Sequence, residues 1–438
     1  ATDRILTLTG DSTEIDVKSS MSITSNIVGP NSVFVKSGPG QLNLVYPGEY
    51  GYKETVVKEG ILSQGNYLTY FGAKNSKMTL AGGTVKLIEN NNMNTIPSYT
   101  YPTEVKENTE NVIVGTFRSN ILGTFTGKGT VTIYGGGDRC AIHSDFSKFE
   151  GTLKLQGANS MWRETVTDMP LTDVVIDGKL SLYRINKRYA AQSNKGGTLG
   201  SLASTYSDAQ LGAGIWTIGA NNHDAVFNGK LVSGSTVTKV GSGTWTLNSG
   251  KNTSSIAVNA GRVILFSGTS GSVSVAKDAV LAFGDGTTRC SAPKVGTDLV
   301  VNGGKVAFNV DVYRNDQFTS VKNVVLDNAV ISVNTINGKT LTVGDEITLF
   351  KNFESITGTF TVQSNDYEFD TSEFLTSGKI RVKAISTGID GIRMDGNSIE
   401  TQYDLQGRAY DKDTQLRGVT IVKQQNGNQK KVRKLINK

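Results

Sequence analysis

Three short stretches gather the residue types that move protons or hold cations. Gly135-Gly-Gly-Asp-Arg-Cys-Ala-Ile-His-Ser-Asp145 places Asp138, Arg139, His143 and Asp145 within one turn and strand. Asp168, Asp173 and Asp177 follow, with 173 and 177 on one side of a regular strand. The third is Asn221-Asn-His-Asp224. Carboxylates gathered on one outer face could hold Ca²⁺ through oxygen ligands or serve as an acid/base pair at a glycosidic bond. The same residue types also build solvated turns, which is the reading the sequence favours for each stretch. The two histidines stand 80 residues apart, so no Ser-His-Asp arrangement is visible. No phosphate-binding loop, metal-spaced His pair or dinucleotide fingerprint is present. The sequence therefore assigns no catalytic residue, metal ligand or cofactor, and Ca²⁺ enters only if the chain is a lyase.

Aromatic residues suggest a different chemistry. Trp162, in Asn159-Ser-Met-Trp-Arg-Glu164, lies outside the repeating pattern described below and has charged neighbours. Such a ring could stack on a pyranose while Arg163 bonds its hydroxyls. Tyr183, Arg184 and Tyr189 complete the candidate ligand contacts, and Tyr99 and Tyr101 could join them if their loops share a face. Packing of each loop onto the protein body is the competing role. Trp216 and Trp245 are expected inside, because they occupy the strand position of Val131, Leu153 and Leu180.

The elements that must position these residues are most legible from Val240 to Phe283. There one phrase occurs twice: Ile256-Ala-Val258, a break at Asn259-Ala-Gly261 and Arg262-Val-Ile-Leu-Phe266, then Val273-Ser-Val275, Ala276-Lys-Asp278 and Ala279-Val-Leu-Ala-Phe283. Alternation with period two puts one set of side chains inward and the next outward. A phrase too small to bury its own apolar face, repeated at nearly fixed spacing, signals stacked coils. The inner positions align as Trp245, Val263, Val280, Val306 and Val330. Interruptions are expected near 90–111 and 183–211, the second with a short helix near Ser204–Gln210. Periodicity alone supports hairpins, and hence a sandwich, about equally well.

Whole-chain numbers narrow the class. Fifty glycines and seven prolines in 438 residues, with 37% apolar content, suit an almost all-β chain with many turns. No apolar run approaches the roughly 20 residues of a membrane helix. The formal charge is +6, and Ser386–Lys438 carries 10 Lys/Arg against 6 Asp/Glu, so the long body is nearly neutral. A basic stripe interleaved with aromatics is missing from it, which argues against nucleic acid as a partner. Cys140 and Cys290 would lie several coils apart, too far to bridge. Ala1, with neither initiator Met nor signal peptide, is what a processed or trimmed chain would show.

Gly241-Ser-Gly-Thr-Trp-Thr-Leu-Asn-Ser-Gly250 followed by Ile256-Ala-Val-Asn-Ala-Gly-Arg-Val-Ile-Leu265 resembles the autotransporter-associated β-strand repeat. Gly344–Phe350, Gly358–Phe360, Tyr367–Thr371 and Gly378–Val382 resemble the segment that closes such passengers. Beyond a linker at 385–391, Tyr403-Asp-Leu-Gln-Gly-Arg408, Arg417–Val422 and Lys430–Ile436 resemble the C-terminal sorting domain of exported Bacteroidetes proteins. These resemblances imply a right-handed, single-stranded parallel β-helix over 1–384 and a small β-sandwich-like module over 392–438. They also imply a secreted or outer-membrane surface protein, with export machinery as a partner of the C-terminal module. The expected role is a non-catalytic binding, display or structural module, with extracellular polysaccharide as the ligand. The alternative is a polysaccharide lyase or glycoside hydrolase on the same fold.

Overall fold

A computed structural model of the chain describes all residues except 1–3, 67, 89–95, 116–118, 136–139, 158–167, 179–180, 183–195, 249–251, 253, 285–289, 387–400, 404–408, 411–418, 427–428 and 437–438. Two compact units result, Ala1–Ile385 and Ser386–Lys438.

The first unit is a parallel β-solenoid. Its longest sheet climbs from Ser20–Ile23 through Gln41–Leu44, Ile61–Gln64, Thr84–Lys86 and Glu110–Gly115 to Thr130–Gly135 and Thr152–Gln156, each strand parallel to the next. A second parallel sheet holds Ile27–Ser37, Gly51–Val57, Lys77–Leu80, Thr103–Val105, Thr124–Gly127 and Asp145–Phe149. A short third sheet adds Ser98–Tyr99, Ser119–Ile121 and Cys140–Ile142. Tight reversals, which a hairpin sandwich would need, do not join neighbouring strands of these sheets.

Alternation carries the core as expected. Leu42, Leu62, Val85, Ile113, Ile133 and Leu155 pair rung on rung, and all are buried. In the later coils the inner column runs Trp245, Val263, Leu281, Val306, Ile331, in steps of 18, 18, 25 and 25 residues. This corrects the expected register at two rungs: Val280 pairs with Arg262, and Val330 with Lys305, both half-buried. Aligning valine on valine slips those strands by one residue, which moves every side chain to the opposite face. Leu281 and Ile331 are the residues that fill the interior.

The expected interruptions are shorter than their sequences suggest. Ser98–Tyr99, Thr103–Val105 and Glu110–Gly115 are ordinary rungs, and so is Gly197–Ala203. Ser204–Gln210 forms a bridge and a turn, not a helix, with the Tyr206 carbonyl accepting from Ala209 N. Polar residues of these stretches are themselves buried and bonded, Thr103 to the Tyr101 carbonyl, Asn111 to the Thr130 carbonyl and Ser201 to Asp173, so a polar composition reads as loop while the strands stay paired.

Stacked aromatics reinforce the N-terminal coils. Phe34 stacks on Tyr52 at 5.0 Å between centroids, and Phe125 on Phe146 at 4.5 Å. Burial pushes the phenols of Tyr50, Tyr52, Tyr99 and Tyr101 upward from the ordinary 10.0. Above pH 10 the unfolded chain sheds these protons while the folded chain keeps them, so stability falls as pH rises. We expect the urea midpoint to hold up to about pH 9.5 and drop beyond it; an unchanged midpoint at pH 11.5 would show that these phenols ionise freely.

The C-terminal end of the solenoid is closed by an antiparallel sheet of Glu346–Thr348, Tyr367–Asp370 and Lys379–Ile385. The helical turn Phe374–Ser377 seats buried Phe374 against Phe350 and Phe360, at 5.8 and 4.7 Å. The second unit is a small antiparallel sheet of Thr401–Tyr403, Ala409–Tyr410, Val419–Asn426 and Gln429–Ile436.

Candidate functional site

Two of the three polar stretches meet on the outside of the longest sheet. Asp173 sits in the strand Met169–Ile176, in register between Thr152 and Ser201. Its carboxylate accepts hydrogen bonds from Ser201 Oγ at 2.6 Å and Asn221 Nδ2 at 2.7 Å. His223 Nδ1 stands 3.0 Å from Oδ2. One carboxylate thus gathers groups from three successive rungs, up to 50 residues apart in sequence.

The turn that delivers His223 is tied on both sides. Asn222 takes a left-handed φ of 66°, which asparagine tolerates, and its Oδ1 accepts from Ser242 N at 2.9 Å. Asp224 Oδ1 accepts from Thr244 N at 2.6 Å. Gly200 leaves the passage for Asn221: a Cβ there would lie 2.8 Å from the amide nitrogen and 2.6 Å from the Thr172 carbonyl oxygen. With Nδ1 engaged by Asp173, the half-exposed imidazole offers Nε2 to an external partner. That atom can exchange a hydrogen bond with a sugar hydroxyl or accept a proton from one.

The orientation of the ring is testable. In the neutral protein we expect His223 to carry its proton on Nδ1, facing Asp173, with Nε2 bare. Asp173→Asn should shift the population toward the Nε2–H tautomer, readable in imidazole ¹⁵N shifts, at a stability cost under about 1 kcal/mol because the pair is exposed. Unchanged ¹⁵N shifts would mean that Asp173 does not orient the ring.

The remaining carboxylates do other work. Asp168 Oδ1 accepts from Thr198 N at 2.9 Å, and Asp177 from Gln156 Nε2 at 2.6 Å, so each ties neighbouring strands. His143 and Asp145 follow Cys140–Ile142; Asp145 Oδ1 accepts from Ser147 N at 2.9 Å. Asp138 and Arg139 lie outside the described residues, as do Trp162, Arg163, Tyr183, Arg184 and Tyr189. Among the described residues no three His, Cys, Asp or Glu side chains converge as metal ligands.

Tyr99 and Tyr101 are interior, which removes them as a sugar platform. The Tyr99 hydroxyl meets Thr103 Oγ1 at 2.7 Å, and Tyr101 Oη accepts from Phe71 N at 2.7 Å. Trp216 and Trp245 are interior as expected, donating to the Gly212 and Leu202 carbonyls at 2.9 Å each. Cys290 is a buried free thiol whose ionisation burial pushes up to about 11, so it is no ready nucleophile.

Two buried lysines escaped the sequence reading. Lys239 takes an inward position between Ile218 and Val258, and its ammonium donates to the carbonyls of Val240 at 2.6 Å and Gly241 at 3.0 Å. Lys36 does the same at the Ser37 and Gly38 carbonyls, 2.8 and 2.7 Å, and reaches Glu59 O at 3.0 Å. Each precedes a glycine corner that must stack on the next: Gly261, at φ 66°, would put a Cβ 2.4 Å from Gly241 O. The shared signal is Lys-x-Gly-x-Gly, in Lys36-Ser-Gly-Pro-Gly40 and Lys239-Val-Gly-Ser-Gly243.

Fold and site together define the chain as a parallel β-solenoid with an outward-facing polar cluster. No protein-family model matches it, and no curated protein is significantly similar to it. Among the described residues no helix is long and apolar enough to cross a membrane.

Proposed function

We propose that this chain is an exported, cell-surface-associated solenoid of the autotransporter-repeat kind that binds or displays extracellular polysaccharide without cleaving it. The observation that carries the binding role is the Asp173 cluster, in which Ser201, Asn221 and His223 are held by one carboxylate on the outside of a parallel sheet. Neighbouring coils about 4.8 Å apart thus bring hydroxyl, amide and imidazole groups together on one outer face, which suits the hydroxyls of a glycan. The C-terminal unit enters as a sorting domain that engages export machinery, a role that rests on the Asp404-Leu-Gln-Gly-Arg408 phrase.

The carboxylate-oriented imidazole favours a second reading, a polysaccharide lyase or glycoside hydrolase with His223 as proton acceptor. Incubation with a panel of plant and host polysaccharides separates the two. Retention without product supports the binding module, new reducing ends or unsaturated-uronate absorbance lost in His223→Ala supports the enzyme, and neither retention nor product leaves a structural role.

A further inference from the structure

The turn after Val310 projects the most exposed large apolar side chain among the described residues. Tyr313 is 95% exposed and its neighbour Val312 47%. An exposed ring on a mobile tail would mean little, but the base of this turn is fastened from inside. Asp311 N donates to Arg314 O at 2.7 Å and closes the turn, while Asp311 Oδ1 accepts from Val312 N at 2.7 Å. Fully buried Asp316 accepts from Ser291 N at 2.5 Å, Asn309 N at 2.8 Å and Asn309 Nδ2 at 2.6 Å. Asn315 Nδ2 donates to the Thr348 carbonyl at 2.7 Å, tying the turn to the antiparallel cap. With its three donors the buried carboxylate is satisfied, so the exposed tip is carried on a firmly bonded base.

We propose that this turn is a carbohydrate contact in which Tyr313 stacks on the apolar face of a sugar ring and Arg314 pairs with the carboxylate of a uronate. The composition of the tip selects that ligand. A stable protein partner covers roughly 800 Å² and 20–30 residues a side, whereas the exposed apolar groups on this turn are Val312 and Tyr313 alone. A single exposed aromatic on a fastened turn, beside hydrogen-bonding charge, matches one pyranose, whose ring face is apolar and whose rim is polar. Arg314 is exposed and has no salt bridge among the described residues, so its fork of donors is open to a planar carboxylate. The inference rests on the polysaccharide-binding reading and adds to the Asp173 cluster a second contact and the acidic class of the sugar.

The test is titration calorimetry of the full chain with oligogalacturonate and with a neutral galacto-oligosaccharide of the same length. Tyr313→Ala should weaken both ligands at least tenfold with an unchanged melting temperature, since the ring packs on nothing. Arg314→Gln should weaken the uronate about tenfold and leave the neutral sugar unaffected. If wild type binds and both variants bind equally well, the turn is not the contact while the polysaccharide reading stands. If wild type binds neither sugar nor any other glycan, both fall. Loss of a protein partner in Tyr313→Ala with glycan binding intact would also overturn the assignment.

Discussion

Trp245→Ala is expected to destabilise the solenoid by about 3–5 kcal/mol, the range for emptying a fully packed large aromatic site. The indole is 1% exposed, stacks on Phe227 at 6.3 Å and sits over Val263 in the inner column. Its Nε1 donates to the Leu202 carbonyl across the interior at 2.9 Å, so truncation also removes a buried donor. Trp245→Phe keeps most of the volume and should cost about 1–3 kcal/mol, chiefly for the hydrogen bond. Because contacts reach only one or two coils along the axis, the loss should concentrate between residues 197 and 282, where amide exchange should accelerate first. Urea unfolding of both variants measures the costs; a change below 1 kcal/mol for the alanine variant would mean that this position is not packed.

Lys239→Met comes next in size. Methionine reproduces the length of the side chain in a column otherwise made of Ile218, Val258 and Val275, so simple hydrophobic reasoning predicts a gain. The hydrogen bonds decide otherwise. The ammonium serves the Val240 and Gly241 carbonyls at a corner where stacked glycines leave little room, and charge-assisted bonds are each worth about 1.5–3 kcal/mol. Set against the relief of no longer burying a charge, we expect a net loss of about 2–3 kcal/mol. Burial lowers this ammonium from the ordinary 10.5, and that of Lys36 likewise. Between the lowered value and 10.5 the unfolded chain holds more protons, so these two groups add stability as pH rises and offset part of the loss from the four tyrosines, which outweighs them above about pH 9.5. An increase in the urea midpoint for Lys239→Met would refute the corner-clamp account.

Strand alternation made the coils legible, because a single inward face shows directly in the pattern Trp245-Thr-Leu247 or Val273-Ser-Val275. Register was less so: Val280 and Leu281 are both apolar, and only the rung above decides which points inward. Tyr99 and Tyr101 looked like loop because polar residues surround them, yet their rings fill the interior and their hydroxyls find Thr103 Oγ1 and Phe71 N. Lys36 and Lys239 were invisible for the opposite reason. A lysine is read as surface unless something shows that main-chain carbonyls await it inside.

The site divides the same way. Asp173 and the Asn221–Asp224 run were each recognisable by composition, but their meeting depends on coil lengths that bring residues 173, 201 and 221 onto adjoining rungs. Pattern alone cannot supply those lengths when they vary between 18 and 25 residues, as they do along the inner column. Gly200 carries the only local hint, as a small residue inside a strand where another chain segment passes close.

Everything proposed for this chain depends on coils stacking in parallel along one axis. Double electron–electron resonance between a spin label at Thr217 and a second at Ser274, Val300, Val325 or Thr357 tests this directly, since these positions lie on successive rungs of one outward column. The solenoid predicts backbone separations of about 14, 19, 24 and 29 Å, rising by one strand spacing per rung. Separations that failed to grow steadily, with Ser274 and Thr357 equally distant from Thr217, would contradict it.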